Sequence, residues 1–205
     1  MVDTVTKSTN IKCDLAFLSL KNCMRSYAPI SEDTWRKMVS ICRYVEIKKD
    51  QLLYPSGVIP KSFSFVHQGL FRAYVSDQKG KEYNKIFFAE GMFPGTMTSL
   101  LKSTPSNLAI QALEHSYVIE IDFKKYRELM RDSDEIKLYQ IHYLEKNWLV
   151  AKDAREIEIV QLDATQRYLR FIAEHQEIAE RISQYHIASH LGVTPTQLSR
   201  IRKSL

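Results

Sequence analysis

The stretch Ile182-Ser-Gln-Tyr-His-Ile-Ala-Ser-His-Leu-Gly-Val-Thr-Pro-Thr-Gln-Leu-Ser-Arg-Ile-Arg-Lys203 decides how the rest of the chain is read. Ile187 and Leu191 stand four apart, so on a helix they share one face. Gly192 follows where a helix stops most easily, because glycine tolerates a left-handed backbone. Thr194 then suits an N-cap and Pro195 the first position of a new helix, where its missing N–H costs nothing. In that second helix Leu198, Ile201 and Leu205 fall on one face, and Thr196, Ser199, Arg200 and Lys203 on the other. The spacing predicts two short helices and a tight turn, a helix-turn-helix, with small Ala188 where the helices cross. From Arg181 onward the cations are Arg181, Arg200, Arg202 and Lys203, and there is no acid. A phosphate surface favours that balance. The alternative is a terminal helical hairpin that only packs on the core.

Composition narrows the class. The 205 residues suffice for one large domain or two small ones. No apolar run reaches the roughly 18 residues of a membrane span, and Met1–Asn10 is polar, without the apolar core of a secretion signal. A cytoplasmic protein is expected. The net charge of +5 permits nucleic-acid binding without demanding it. Cys13, Cys23 and Cys42 are scattered, with no Cys-x-x-Cys pair, so reduced thiols are expected and a zinc site is not.

Glycine and proline divide the chain. Gly57, Gly69, Gly80, Gly91 and Gly95 cluster in one part, and none of either residue occurs from Ser106 to Leu191. The first part therefore reads as strands and turns, and much of the second as long helices. Residues 1–10 read as loose and 11–42 as helical, with Ser31 capping a helix whose first turn holds Glu32 and Asp33. Short strands are predicted at 44–47, 51–54, 63–68, 70–76, 82–88, 107–113 and 117–121, with a hairpin turn from Asp77 to Lys81. That pattern suggests a small antiparallel roll. Phe123–Met130 reads as a short helix. From Asp134 to about Gln161 a long helix is expected, roughly 40 Å at about 1.5 Å per residue. Its Ile141, Leu144, Trp148 and Ala151 could form a seam to a second copy, or pack on the roll. Asp163 with Gln166 forms a capping box that starts the next helix and marks a hinge. Tyr168, Leu169 and Ile172 would pack that helix against the final pair.

A roll, a long helix and a helix-turn-helix in this order resemble the catabolite activator/FNR (Crp/Fnr) family of bacterial transcription regulators. The resemblance runs over residues 11–205. It is carried by Phe65-Val-His-Gln-Gly-Leu-Phe-Arg-Ala-Tyr74, the turn Gly80-Lys-Glu, Phe93-Pro-Gly95, Ala109-Ile-Gln-Ala-Leu113 and the terminal helix pair. It implies an α+β fold. Residues 1–125 would hold N-terminal helices and a cyclic-nucleotide-binding-like antiparallel β-roll, 126–161 a short helix and a long dimerisation helix, and 162–205 a helix-turn-helix DNA-binding domain. Because the sequence stops at Leu205, most of the usual two-stranded wing is expected to be missing. The resemblance implies a homodimer on a palindromic promoter site, with half-sites about 34 Å apart, and RNA polymerase as a further partner. The family's base-reading positions fall on Pro195, Thr196 and Arg200. Pro195 has no side-chain donor; Arg200 can grip guanine with two hydrogen bonds. Thr196 and Gln197 would reach neighbouring bases, and Thr194, Ser199 and Lys203 phosphates.

The family's cyclic-nucleotide cassette has a glutamate where Thr96 follows Phe93-Pro94-Gly95. Its phosphate-pairing arginine aligns with Ser106 or Asn107. Both anchoring charges are gone, so tight cyclic AMP or GMP binding is not expected. Gly95, Thr96, Ser106 and Asn107 remain the candidate effector pocket, its small-molecule ligand unknown. No cofactor or metal is expected. An iron–sulfur cluster needs four thiolates, and His67, His115 and His142 stand alone as haem ligands. A cupin-type enzyme wants clustered histidines with a carboxylate, and no His-x-His, Gly-x-Ser-x-Gly, Walker loop or His-Glu-x-x-His occurs. A non-enzyme is expected. The second reading is a ligand-binding module that has lost DNA binding.

Overall fold

The computed structural model describes residues 2–150 and 162–205. The chain opens with helices α1 (Val2–Arg25) and α2 (Glu32–Val39), followed by strands β1 (Cys42–Ile47), β2 (Leu52–Tyr54), β3 (Ser62–Gln68), β4 (Phe71–Ser76) and β5 (Glu82–Phe88). Helix α3 (Met97–Lys102), β6 (Ala109–Ala112) and β7 (Ser116–Asp122) complete the roll. Then come α4 (Phe123–Asp132) and α5 (Asp134–Leu144), which runs on into a π-helical turn, Glu145–Leu149. Four helices close the chain: α6 (Ala164–Glu174), α7 (Gln176–Ala179), α8 (Gln184–Leu191) and α9 (Pro195–Lys203).

Two antiparallel sheets form the roll, in the orders β1-β7-β3 and β2-β6-β4-β5. Alternation along each strand sorts side chains into layers. Val66 and Val118 face inward with Phe71, Ala73 and Ile110 to fill the roll. On the other face of the β1-β7-β3 sheet, Phe63, Phe65, Ile119 and Ile121 pack under α1, α2, α4 and α5 through Leu20, Met24, Met38, Tyr126 and Ile136. At the opposite side, Leu70 and Phe87 pack with Phe171, Ile178, Ile187, Leu191 and Leu198 of the last helices. The molecule is thus layered: helices, sheet, roll interior, sheet, helices.

All seven predicted strands form; 82–88 coincides with β5 and the others differ by a residue or two at their ends. The Asp77–Lys81 turn closes as expected, with Asp77 Oδ1 accepting from the backbone N–H groups of Lys79 and Lys81. Ser31 caps α2 by accepting from the Thr34 N–H at 3.2 Å. Two expectations change. Residues 2–10 are not loose: α1 already starts at Val2, in a segment with no Gly or Pro to stop it. Helix α3 was not predicted, because six residues are too few to show a helical period.

Candidate nucleic-acid interface

Helices α8 and α9 meet through a tight turn built as the residues dictate. Gly192 adopts the left-handed conformation at φ 70°, and the Val193 N–H reaches back to the Ala188 carbonyl at 3.0 Å. Thr194 and Gln197 form a reciprocal capping box with Pro195 at the first helical position. Leu198 is 1% exposed against Ile187, Ala188 and Leu191, and Ile201 is partly buried beside it. Burying one such leucine contributes about 1.5–3 kcal/mol, and here it fixes the pitch of α9 on α8. Leu205 does not extend that stripe. It lies past the Ser204 cap and is 65% exposed.

Thr194, Thr196, Gln197, Ser199, Arg200 and Lys203 are all solvent-exposed, so the structure brings the sequence-derived candidates together on one free surface. Two of them are already engaged. The Thr194 hydroxyl donates to Gln197 Oε1 at 3.1 Å and accepts from the Gln197 N–H at 3.1 Å. Gln197 keeps only its amide nitrogen for a further partner. Beside α9 runs an open groove of about 370 Å³, lined by Asp163, Ala164, Thr165, Val193, Gln197, Arg200 and Ile201. Asp163 caps α6 and Gln166 closes its box, both bonds at 2.9 Å, as the sequence predicts. Arg167 ties the start of α6 to the helix pair by donating to the carbonyls of Leu162 at 2.8 Å and Leu191 at 3.3 Å. Helix α6 packs through Tyr168 and Phe171, with Ile172 partly buried. Leu169 is 48% exposed, contrary to expectation, because it falls on the opposite side from the Tyr168–Phe171 stripe.

The back of the pair rests on the β-roll. Strand β5 is the sheet's edge, and α8 covers it: Ser189 Oγ accepts from the Asn84 N–H and donates to the Glu82 carbonyl, both at 3.0 Å. Behind them lies buried Arg72, which donates to Gln111 Oε1 and Asn84 Oδ1, pairs with Glu82 at 2.6 Å and stacks 4.0 Å over the Tyr74 ring. A buried guanidinium needs such full pairing. Asn84 Nδ2 also lies 3.2 Å from His186 Nδ1 and donates to the His186 carbonyl at 3.1 Å. Burial first, and then the Arg72 charge, hold His186 below the usual histidine range. Sequence reasoning missed Arg72 because its partners Glu82, Asn84 and Gln111 lie on other strands.

Residues 44–133 match the model of the cyclic nucleotide-binding domain. No curated protein sequence matches the chain. Among solved structures, it is similar to CLP of Xanthomonas campestris, a c-di-GMP responsive global regulator, at 16% identity and TM-score 0.68, covering 85% of this chain and 91% of that one. It is also similar to FixK2 from Bradyrhizobium japonicum, at 18% identity and TM-score 0.67, covering 80% and 84% of the two chains. A protein from Eubacterium rectale, described as a transcriptional regulator of the Crp/Fnr family, gives 17% identity, TM-score 0.60, and coverage of 85% and 83%. This chain has the Crp/Fnr fold.

The Crp/Fnr fold locates the remaining candidates. Gly95 lies so close to β3 that an added Cβ would stand 2.7 Å from the Phe63 Cβ. Thr96 is buried, and its hydroxyl meets no hydrogen-bond partner among the described residues. Ser106 is buried too, with its hydroxyl spent on the Leu108 backbone at 2.9 and 3.0 Å, whereas Asn107 is exposed. The four candidates therefore do not present a common polar surface. On α5, Ile136 and Tyr139 are buried, but Ile141 and Leu144, and Trp148 in the π-helical turn after it, are 51%, 40% and 54% exposed. Ala151, the fourth residue of the expected seam, lies outside the described residues. His142 Nδ1 lies 2.8 Å from the Tyr27 carbonyl and His115 pairs with Glu46 at 2.7 Å. Among the described residues no group of three or more His, Cys, Asp or Glu could hold a metal, and no helix is long and apolar enough to cross a membrane.

Proposed function

We propose that this protein is a homodimeric, sequence-specific DNA-binding transcription regulator of the Crp/Fnr type. The observation that carries the proposal is α9: an acid-free polar face of hydroxyls, an amide and cations stands free, while its apolar back is locked on α8. A helix so mounted suits the major groove. Residues 162–205 would be the DNA-binding domain, 1–125 the sensor and 126–161 the connection. Arg200 would read guanine, Thr196 and Gln197 neighbouring bases, and Thr194, Ser199 and Lys203 phosphates. RNA polymerase would be met on the promoter, in the cytoplasm. The protein is not an enzyme in this reading.

The exposed Ile141, Leu144 and Trp148 supply the dimer seam, since a helix face this apolar gains by meeting its copy. Sedimentation equilibrium tests it. The wild-type protein should sediment as a dimer at micromolar concentration, and Trp148→Glu as a monomer. A wild-type monomer would remove the basis for reading a palindrome.

The sensor does not take cyclic AMP or GMP tightly; a different small molecule, a partner protein or no effector at all stays open. With Thr96, Ser106 and Asn107 at the anchoring positions, a cyclic phosphate would be buried without a counter-charge, at a cost of several kcal/mol. Calorimetric titration with cyclic AMP should show no binding tighter than about 1 mM, which is about −4 kcal/mol. Micromolar affinity would refute this.

A further inference from the structure

We infer that Arg181 latches the helix pair to the β-roll, and that the latch regulates DNA affinity by holding α9 in one pose. The inference rests on the DNA-binding reading above. Arg181 sits between α7 and α8. Its guanidinium donates to both carboxylate oxygens of Glu90, at 2.9 and 3.0 Å, and to Glu114. Glu90 follows β5, and Glu114 lies between β6 and β7. Glu90 Oε1 also accepts from the Gly69 N–H at 2.8 Å, between β3 and β4. One cation from the helical unit therefore gathers three loops at one end of the roll.

Two further contacts set the pose. Ser189 caps the free edge of β5 through Asn84 and Glu82. Phe87 meets Phe171 edge-on, ring centroids 6.1 Å apart. None of these contacts uses a base-reading candidate, and the outward face of α9 stays exposed. The docking therefore preorganises the reading helix and does not cover it. Because Leu198 fixes α9 on α8, anything that fixes α8 on the roll fixes α9 too. A loosened pair would have to be reordered on the DNA, and that ordering lowers affinity. The latch is partly exposed, with Arg181 at 30% and Glu90 at 41%, so salt or a ligand that shifts the loops of β5 to β7 can open it.

Neutralising both carboxylates separates the latch from simple charge effects. The full-length double variant Glu90→Gln/Glu114→Gln removes two negative charges, and phosphate attraction alone predicts tighter DNA binding. The latch predicts the reverse: affinity for a specific duplex about fivefold weaker or more, the size of a typical coupling between sites. Hydrogen exchange at the Asn84 amide should accelerate at the same time. Glu114→Gln alone, which leaves the Glu90–Gly69 bond in place, should give a smaller change in the same direction and guards against a folding defect in the double variant. Unchanged exchange at Asn84 overturns the latch. Faster exchange with equal or tighter DNA binding overturns its regulatory role. A wild-type protein that binds no duplex at low salt refutes the DNA reading and with it the regulation, while the exchange result still decides whether the latch exists.

Discussion

Arg200→Ala is expected to abolish the preference for a guanine at one position of each half-site while leaving the fold intact. Arg200 is exposed on α9 and lines the groove shared with Asp163 and Thr165, so its loss opens no cavity. A bidentate arginine–guanine contact is worth about 1–3 kcal/mol of discrimination. A dimer makes it twice, so specific affinity should fall by roughly 1,000-fold at the midpoint of that range, about 4 kcal/mol in all. Binding to unrelated duplexes should weaken far less. Lys203→Ala is the control, because a cation that meets only phosphate should weaken all sequences alike and lower the salt slope by about one. Fluorescence anisotropy on the preferred palindrome and on a scrambled duplex, across a salt series, measures both. Equal losses on the two duplexes for Arg200→Ala would take it off the list of base readers.

Gly69→Ala is expected to cost the most stability of any single methyl addition in the roll. Gly69 has φ 123°, a conformation that L residues rarely adopt. The added Cβ would stand 2.0 Å from Ser116 Oγ and 2.8 Å from the Ser116 Cα. The second contact is with backbone, so rotating a side chain cannot relieve it. Strand β7, or the turn between β3 and β4, must move. Strain and overpacking each cost about 1–3 kcal/mol. Thermal unfolding should shift down by roughly 10 °C, at about 2–4 °C per kcal/mol for a chain of this size. Gly57→Ala isolates the backbone part: φ is 78° and an added Cβ meets nothing within 4 Å, so the loss should be near 1 kcal/mol. If the two variants melted together, the Ser116 contact would carry no weight. Displacing Gly69 also moves the N–H that holds Glu90, so this variant should loosen the Arg181 contact as well.

The residues differ in how far their roles could be seen in advance. Gly192, Thr194 and Pro195 announced the turn because each acts through its own backbone geometry. The Asp163 capping box was legible for the same reason, its partner Gln166 lying three residues on, whereas the box that Gln197 closes on Thr194 was seen only in the structure. The strands were legible because glycines and alternating apolar residues bracket them. Arg181 was not. Locally it belongs to an acid-free basic segment, and the sequence suggests a phosphate ligand, but its carboxylate partners stand 67 and 91 residues away. Arg72 is the same case, since its partners Glu82, Asn84 and Gln111 lie on other strands. Leu169 and Leu205 failed differently: Leu169 lies off the Tyr168–Phe171 stripe of its helix, and Leu205 lies past the end of α9. The effector residues were chosen by likeness to a cassette whose charges are absent. The structure gives them separate surroundings, Thr96 and Ser106 buried and Asn107 exposed.

Selection from a pool of random duplexes, using the full-length protein at moderate salt, tests most directly whether two copies of α9 read DNA together. The account predicts enrichment of a two-fold symmetric site, its half-sites one helical turn apart at about 10 base pairs centre to centre. Recovery of no motif, or of a single unrepeated half-site, would contradict it.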